Sequence, residues 1–596
     1  MSIKLLRYGL DRANHRTGVS GFMRQLILIL IWVLCPMPLL ALDVAITVEG
    51  LEKKLEENVL AYLSVERERQ RESLNAARLR LLHDKAEAEI EAALRPFGYF
   101  KPSVSGSMLR TDQGFLLSYQ VEPGPPLKLS EVDFRLLGEG AEDPQLVKRF
   151  PMSVGDVVDQ TRYDLAKQQI LAEIIEQGYL DARYVEHQLR VDLKRYKAAV
   201  KLHLDTGMRL RFGEVRMHQD VMNPAFLARF VPFNAGDPFS QEALLSLQGD
   251  LIDTEYFKQV EVVTRRDQRE GDRVPVDVNL KPNKRNRYRI GLGYSTDMGP
   301  RLTLDWKNRR RGRNGHRMRS ELQIAEPLST LSTEYTIPLQ RPSVDLLSFG
   351  ASLEHFNSDT NQGDRVLFSA THSISLERGW RRSLGLEYSY EDFEVGEQED
   401  SSRLLVPSIT WLRVKSDGKQ YIQRGKRLEL RLEGAADSLL STTDFFQLYA
   451  AGKFIRGLGE GDWRLLGRLE LGATWADELT DLPPSKRFFA GGDNTVRGFG
   501  YQDLGPRDDN DEVIGGRNFA VGSIELERHI SGKWSAALFA DAGNAFDPDY
   551  DAETAYSLGL GARWRSPVGP VRIDIARGWV EDEAQWRLHI VIGPEL

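Results

Sequence analysis

Two hydrophobic periodicities divide the chain into a mixed first half and a strand-rich second half. Between residues 43 and 284, stretches with apolar residues at helical spacing, such as Ile170 and Ile174, alternate with stretches of period-two alternation. From Arg287 onward only the period-two pattern remains. The sequence therefore predicts small α+β modules followed by one large β domain.

The first half is an internal repeat with a period of about 80 residues. A short aromatic landmark recurs after each predicted helix: Gly98-Tyr99-Phe100, Gly178-Tyr179-Leu180 and Glu255-Tyr256-Phe257. We predict three modules of strand, helix, helix, strand, strand, at residues 43–128, 129–210 and 211–284. Nothing in them indicates catalysis, but the edge of a three-stranded sheet can pair with an extended peptide.

The second half, residues 285–596, has one apolar face and one small or charged face. The opening strand alternates Tyr288, Ile290, Leu292 and Tyr294 with Arg289, Gly291 and Gly293. A soluble β-sandwich also alternates, but about 312 residues without a helical interruption are too many for one sandwich. At roughly 19–20 residues per strand and turn, this length predicts a transmembrane antiparallel β-barrel of about 16 strands.

The N-terminus predicts export from the cytoplasm. An apolar run at residues 26–42 follows several basic residues, and no acidic residue lies between Arg24 and Asp43. This pattern is typical of a secretory signal peptide, which we place at residues 1–41. The alternative is an uncleaved membrane anchor, because the run is just long enough to span a bilayer.

Composition excludes several classes of function. The chain has 79 basic and 87 acidic residues, a net charge of −8, which excludes a chain-wide basic surface for nucleic acid. Its one cysteine, Cys35, excludes an internal disulfide and cysteine-rich zinc sites. The motifs GxxxxGK[ST], GxSxG and HExxH are absent from the sequence. We therefore expect a protein that is not an enzyme, with no catalytic residues, no metal, no cofactor and no nucleic-acid partner.

Two motifs in the barrel half carry a family resemblance. Val496-Arg497-Gly498-Phe499 lies in a long segment between two strands, and Phe539-Ala540-Asp541-Ala542-Gly543 lies on a later strand. With the serial modules, they resemble the outer-membrane β-barrel assembly superfamily, whose modules are called POTRA domains, over nearly the whole mature chain. Three modules, the strand RIGLGYSTDMGPRLTLDWKN and the terminal HIVIGPEL are most similar to its translocation and assembly module (TamA) branch.

The resemblance implies a loop folded into the barrel lumen. Its motif residues would be Val496, Arg497, Gly498 and Phe499. Arg497 would pair with Asp541, with Phe539 and Gly543 in the same motif and Glu525 as a second acceptor. A planar guanidinium suits a bidentate carboxylate. Without the motif, Arg497 would be one more charge facing the lumen.

The resemblance also implies a lateral gate between the first and last strands. The gate residues would be Arg289, Ile290, Leu292 and Tyr294 on the first strand and Trp586, Leu588 and Ile590 on the last. Because Pro594 cannot donate a hydrogen bond to a strand ladder, we expect the last strand to pair weakly with the first near its C-terminal end. The seam between Arg289–Ser295 and Trp586–Ile592 would then be weak enough to open sideways.

By resemblance, the function is that of an insertase or translocation factor in the Gram-negative outer membrane, with POTRA modules in the periplasm. It would assist assembly or secretion of proteins such as autotransporters. Expected partners are unfolded outer-membrane protein clients, outer-membrane lipid and an inner-membrane-anchored TamB-like subunit. The alternatives are a two-partner secretion transporter, for which Leu51–Arg80 is a candidate plug helix, a passive pore and a soluble hydrolase.

Overall fold

The computed structural model describes residues 43–592, apart from residues 70, 72–73, 113, 147–148, 419–420, 460–461, 567–568 and 582. The predicted signal peptide and the terminal residues 593–596, with Pro594, lie outside the described residues. The chain forms two compact units, Met1–Leu210 and Arg211–Leu596. The first unit contains two modules, and the second contains the third module and the barrel.

The first module is a three-stranded sheet covered by helices. Its elements are β1 (Asp43–Glu49), α1 (Lys53–Tyr62), α2 (Ser64–Glu68), α3 (Ala76–Leu94), β2 (Ser103–Arg110) and β3 (Gly114–Glu122). The sheet order is β1-β3-β2, with β1 parallel and β2 antiparallel to the central strand. Val59 and Leu79 on the helices pack with Leu117 on β3 in a fully buried core. The candidate plug segment Leu51–Arg80 is therefore part of this module.

The second module has the same sheet order with fewer helices. Its elements are β4 (Lys128–Leu137), α4 (Gln160–Glu176), β5 (Arg183–Asp192) and β6 (Lys197–Asp205), in the order β4-β6-β5. Where the repeat predicts a first helix, the described residues contain a 3-10 turn, Glu139–Ala141. Gly140 and Pro144 disfavour an α-helix in this stretch. The second helix keeps its cap, because the Asp159 carboxylate accepts a hydrogen bond from the Arg162 N–H at 2.9 Å.

The third module repeats this plan directly before the barrel. Its elements are β7 (Arg211–His218), α5 (Pro224–Leu227), α6 (Gln241–Asp253), β8 (Phe257–Thr264) and β9 (Arg273–Pro282), in the order β7-β9-β8. Ser240 caps α6 by accepting from the Ala243 N–H at 3.2 Å. Ser240 stands at the repeat position of Asp159, so part of the sequence repeat is a repeated helix cap.

The remaining strands close into a barrel, which confirms the predicted fold class. The described residues form sixteen strands, each antiparallel to the next. They are β10 (Asn286–Ser295), β11 (Gly299–Arg311), β12 (His316–Ile324), β13 (Leu328–Pro338), β14 (Asp345–Asn357), β15 (Asn361–Ser375), β16 (Trp380–Val395), β17 (Gln398–Ser416), β18 (Arg424–Ala435), β19 (Phe445–Leu458), β20 (Trp463–Trp475), β21 (Asn518–Ser531), β22 (Trp534–Phe546), β23 (Ala555–Ser566), β24 (Gly569–Val580) and β25 (Glu583–Ile592).

The two faces of the barrel wall follow the predicted alternation. On β23, the outward side chains of Leu558 and Leu560 are 55% and 66% exposed, whereas Ser557 between the outward positions is buried. Buried acidic side chains such as Glu525 and Asp541 point inward. An apolar exterior around a polar interior is the arrangement that a bilayer requires of a β-barrel. Among the described residues, we find no α-helix with the length and apolar character needed to cross a bilayer.

Candidate functional site

The segment between β20 and β21, residues 476–517, folds against the inner wall of the barrel. Lys486 Nζ lies 3.2 Å from Glu433 Oε1 on β18. Gln502 Oε1 accepts a hydrogen bond from Asn361 Nδ2 on β15 at 3.0 Å. Because further contacts reach β22, β24 and β25, as described below, this lumen loop is fixed to widely separated strands. The structure thus places the V-R-G-F motif inside the barrel.

Arg497 is held by the carboxylate of Asp541 on β22. Its Nε and Nη2 donate to the two oxygens of Asp541 at 2.8 and 2.9 Å, and its backbone N–H donates to Oδ2 at 3.1 Å. Both residues are buried. Ser523 Oγ donates to Asp541 Oδ1 at 2.6 Å, which fixes the carboxylate from the other side. The pair has the bidentate geometry for which a guanidinium is suited and an ammonium is not.

Two further carboxylates complete the surroundings of Arg497. Its Nη1 donates to Glu525 Oε2 at 2.7 Å and to Asp574 Oδ2 at 3.2 Å. Arg563 on β23 supplies a second positive charge to these two carboxylates. It donates to Glu525 Oε1 at 2.7 Å and also pairs with Asp574. These five buried side chains, Arg497, Glu525, Asp541, Arg563 and Asp574, are called the arginine cluster below. The cluster joins the loop to four consecutive strands, β21 to β24.

The remaining motif residues pack around this cluster. The centroid of the Phe539 ring lies 3.3 Å from Arg497 Cζ, a cation–π contact. Val496 and Phe499 are buried in an apolar cluster between the loop and the wall. Gly498 has φ +97°, and an added Cβ would lie 2.9 Å from the backbone nitrogen of Gly578 on β24. A Cβ on Gly543 would collide with the carbonyl oxygen of Ala520, so β22 can carry only glycine there.

Sequence reasoning missed two members of the arginine cluster. Asp574 lies between Ile573 and Ile575, and those isoleucines are exposed on the outer face. The alternation rule alone therefore places Asp574 inside the lumen. Arg563 follows by the same rule on β23. What alternation cannot give is the height of these residues along the barrel axis, and hence their contact with the loop.

The barrel closes through a very short seam. On one side, all ten residues of β10 are in register with β11. On the other side, Ser295 opposite Val591 is the one register pair between β10 and β25 among the described residues. Next to it, the Thr296 N–H donates to the carbonyl oxygen of Ile590 at 3.0 Å, and the Ile590 N–H donates to Thr296 Oγ1 at 2.6 Å.

This seam is shorter than the predicted contact between Arg289–Ser295 and Trp586–Ile592. Of the gate residues, only Ile590 bonds across the seam. The others lie where β10 and β25 have no register pair with each other among the described residues: Arg289, Ile290, Leu292 and Tyr294 on β10, and Trp586 and Leu588 on β25. The one register pair lies at the C-terminal end of β25, three positions before Pro594 in the sequence. The pairing is therefore missing at the other end of β25, and the prediction that Pro594 weakens the seam does not account for it. Ile290 and Leu292 are 76% and 83% exposed.

A cluster of the buried Asp493 and His589 with the half-buried Asp297 connects the lumen loop with both strands of the seam. Asp493 belongs to the loop, His589 to β25 and Asp297 to the turn between β10 and β11. The Asp493 N–H donates to Asp297 Oδ2 at 2.6 Å, and His589 Nδ1 lies 2.7 Å from Asp493 Oδ1. The Gly498 N–H, within the V-R-G-F motif, donates to His589 Nε2 at 2.8 Å. We call Asp297, Asp493 and His589 the seam cluster.

The hydrogen bonds of the seam cluster determine which ring nitrogen of His589 carries the proton. A backbone N–H can only donate, so Nε2 accepts from Gly498 and Nδ1 donates to Asp493. Ligand atoms of the three residues lie within 4.8 Å of one another, a spacing compatible with a metal ion. Both ring nitrogens are already engaged, however, so the arrangement suits a link between loop and seam better than a metal site.

We expect His589→Phe to loosen the lumen loop while retaining ring volume. The substitution leaves the Gly498 N–H and Asp493 Oδ1 without their partner, at a cost of about 1–3 kcal/mol for each buried polar group. Hydrogen–deuterium exchange should show faster exchange in residues 488–504 and a lower thermal midpoint of the barrel. His372→Phe is the matched control, since that half-buried ring bonds only Asp345 on the neighbouring strand. Equal exchange in both variants would contradict the assignment.

Comparisons with known proteins agree with this architecture. Residues 311–595 match the Omp85 superfamily domain, and residues 45–123 match the first POTRA domain of TamA. The chain is 24% identical over 532 residues to outer membrane protein assembly factor BamA of Nitratidesulfovibrio vulgaris, covering 85% of this chain and 66% of that protein. It is 22% identical over 521 residues to BamA of Neorickettsia risticii, covering 81% and 68%. The chain thus spans about two thirds of the length of these relatives.

A solved structure shows the same fold. The crystal structure of BamA from Haemophilus ducreyi lacking POTRA domains 1–3 superposes with a TM-score of 0.65, at 17% identity, over 78% of this chain and 99% of that one. The Omp85 match and the two outer membrane assembly factors place the barrel in the outer membrane and the N-terminal modules in the periplasm. Residues 45–123 match a TamA module, but the closer relation of the whole chain to the TamA branch stays a prediction. From its modules, its sixteen-stranded barrel and these matches, the chain belongs to the Omp85 superfamily.

Proposed function

We propose that this protein assists the folding and insertion of β-barrel proteins, autotransporters among them, into the outer membrane. The observation that carries the proposal is the seam, where one register pair closes a barrel whose other strand pairs are long ladders. Opening the seam breaks this pair, the two hydrogen bonds between Thr296 and Ile590 and one side of the seam cluster, whereas every other strand pair is a ladder of many register pairs. The barrel can therefore open sideways toward the lipid at β10 and β25.

An open seam would offer a template for a client strand. On the side facing β25, β10 leaves the backbone groups of residues 286–294 without a register partner among the described residues. An unpaired strand edge binds an extended peptide through main-chain hydrogen bonds, independently of most side chains. Clients of many sequences could therefore begin to fold on the same edge. The proposal assigns no chemical reaction, and client folding and burial in lipid supply the free energy.

The modules can receive clients before they reach the barrel. In each module the last strand is the central one, so the first two strands are both edges. Unfolded clients would pair with these edges in the periplasm. We also propose an inner-membrane-anchored TamB-like subunit as partner, which the match of residues 45–123 to a TamA domain supports.

The fold does not favour the two-partner secretion alternative. That alternative requires a plug helix, for which the charged stretch Leu51–Arg80 is the candidate, and two modules. The described chain has three modules, and Val59 and Leu79 of that stretch are buried in the first one. The stretch is therefore committed to a module core and is not free to occupy the lumen.

The direct test is client folding in vesicles. We expect the full chain, reconstituted in phosphatidylethanolamine–phosphatidylglycerol vesicles, to accelerate folding of a urea-unfolded autotransporter barrel by about tenfold or more, equivalent to ~1.4 kcal/mol of barrier. Folding is measured as the heat-modifiable gel band of the client. Vesicles containing an unrelated sealed β-barrel at the same density control for disturbance of the lipid. Equal rates in the two kinds of vesicle would contradict the proposal.

A further inference from the structure

Glu255 has a left-handed backbone at a repeat position where the other two modules have glycine. The position follows the last helix of each module, and φ is +86° at Gly98, +99° at Gly178 and +59° at Glu255. Glycine adopts this conformation freely, whereas a residue with a side chain loses roughly 1–2 kcal/mol there. The third module therefore carries backbone strain that the first two avoid.

This position is where each module joins the segment that follows it. The carbonyl oxygens of Gly98 and Gly178 accept hydrogen bonds from the linker residues Leu127 and Leu210 at 2.8 and 2.9 Å. In the third module the Glu255 carbonyl oxygen accepts from Asn283 Nδ2 at 3.1 Å, and Asn283 leads into β10. The strained residue thus lies at the junction of the module and the barrel.

The Glu255 side chain meets three cations from the first two barrel strands. Its Oε2 lies 3.1 Å from Lys307 Nζ and 3.1 Å from Arg309 Nε, both on β11, and its Oε1 lies 3.3 Å from Arg287 Nη1 on β10. Burial alone would raise the pKa of the Glu255 carboxyl, but Lys307, Arg309 and Arg287 outweigh it and hold the pKa below its ordinary value. A glycine could make none of these contacts.

Two neighbouring contacts hold the same module against the next barrel turn. Tyr256 Oη donates to the carbonyl oxygen of Gly315 at 2.5 Å, and the Asn223 N–H donates to the carbonyl oxygen of Arg313 at 2.8 Å. Gly315 lies directly before β12, and its Cα faces the Phe226 ring so closely that an added Cβ would collide. The module is therefore held by both β10–β11 and the turn after β11.

We propose that Glu255 is a positioning residue that keeps the third module aligned with the seam strand β10 while the seam opens. This proposal rests on the proposed insertase function, because the alignment matters only if client strands pass from the third module to β10. A client strand leaving the module then meets β10 in one defined orientation. Glycine at this position would relieve the backbone strain, but only a residue with a carboxylate side chain can contact the three barrel cations. Glu255 therefore remains here despite the strain.

The test uses the full chain with Cys35 replaced by serine and spin labels at Gln259→Cys on β8 and Arg378→Cys in the turn before β16. Both native side chains are exposed. Wild type should give one narrow distance distribution. Glu255→Gly should increase the width of this distribution at least twofold and lower the rate of client folding severalfold. It should not lower the thermal midpoint of unfolding, because glycine relieves the backbone strain. A residue that merely stabilised the fold would lower the midpoint and the activity together.

Two further variants separate charge from strain. Glu255→Gln keeps the strained backbone and side-chain size but loses the charge, so it should broaden the distribution as Glu255→Gly does. Glu255→Arg combined with Arg309→Glu should narrow it again relative to Glu255→Arg alone. An unchanged width in both Glu255→Gly and Glu255→Gln would overturn the proposal. If wild type failed to accelerate client folding, the insertase function would fail while the distance measurement still reported on Glu255.

Discussion

Replacing Arg497 by glutamate should remove most of the folded, heat-modifiable barrel. In the wild-type arginine cluster, two guanidinium groups face three carboxylates, and all five side chains are buried. The variant leaves one guanidinium facing four carboxylates. Breaking a buried ion pair costs about 3–5 kcal/mol, and the new like charge adds to that cost. We expect detergent-extracted variant to migrate mainly as the unfolded form without heating, whereas wild type shifts on heating.

Two substitutions show whether this loss is specific to the arginine cluster. Arg507→Glu reverses a charge in the same loop, but that side chain is 42% exposed, and its contacts are with the carboxylates and carbonyl oxygens of Asp503 and Asp511, whose side chains are exposed to solvent. Exposed pairs contribute about 0–1 kcal/mol, so its heat-modifiable fraction should match wild type. Arg497→Lys keeps the charge and loses the bidentate fork, so it should fall between the two. Equal folding of Arg497→Glu and Arg507→Glu would contradict the tether.

A disulfide across the seam should abolish client folding while leaving the barrel intact. Thr296 and Ile590 form the hydrogen-bonded pair, so the adjacent Ser295 and Val591 form a non-hydrogen-bonded pair, in which side chains approach most closely. Cα atoms of such a pair are about 4.5 Å apart, within the range of a disulfide. With Cys35 replaced, oxidised Ser295→Cys/Val591→Cys should lose client folding in vesicles, and reduction should restore it.

The matched control places a disulfide elsewhere in the wall. Ser373 on β15 and Ser383 on β16 are register partners with hydroxyl groups 2.8 Å apart. Oxidised Ser373→Cys/Ser383→Cys should fold clients at the wild-type rate, because those strands remain paired throughout. Undiminished client folding by the variant with the locked seam would contradict lateral opening. An equal loss of client folding in both variants would indicate general damage from cross-linking.

The sequence was sufficient for the fold because the fold depends on periodicity. Alternation from Arg287 onward separates an outer from an inner face at every strand, and strand number follows from length. The module repeat was visible in residues such as Asp159 and Ser240, which cap equivalent helices. The first helix of the second module was not predictable in the same way, since a stretch with Gly140 and Pro144 can occupy its place without disturbing the sheet.

The site was only partly predictable. A family motif directed attention to Arg497 and Asp541, and alternation could have added Asp574. The seam cluster could not be derived, because Asp297 and Asp493 are 196 positions apart and meet only through the stagger of the closed barrel. The seam had the same difficulty: the register at which the last strand meets the first depends on all sixteen strands together, and no local segment encodes it.

The free length of β10 has a geometric consequence for what the protein can build. Ten residues form the strand and one is in register with β25, so nine offer an unpaired edge. At about 3.4 Å per residue, nine residues extend roughly 30 Å. A tilted transmembrane strand needs about 9–11 residues to cross a bilayer, so the free edge has the length of a short spanning strand. Under the proposed function, the first client strand that pairs with this edge would therefore be matched in length to one crossing of the membrane.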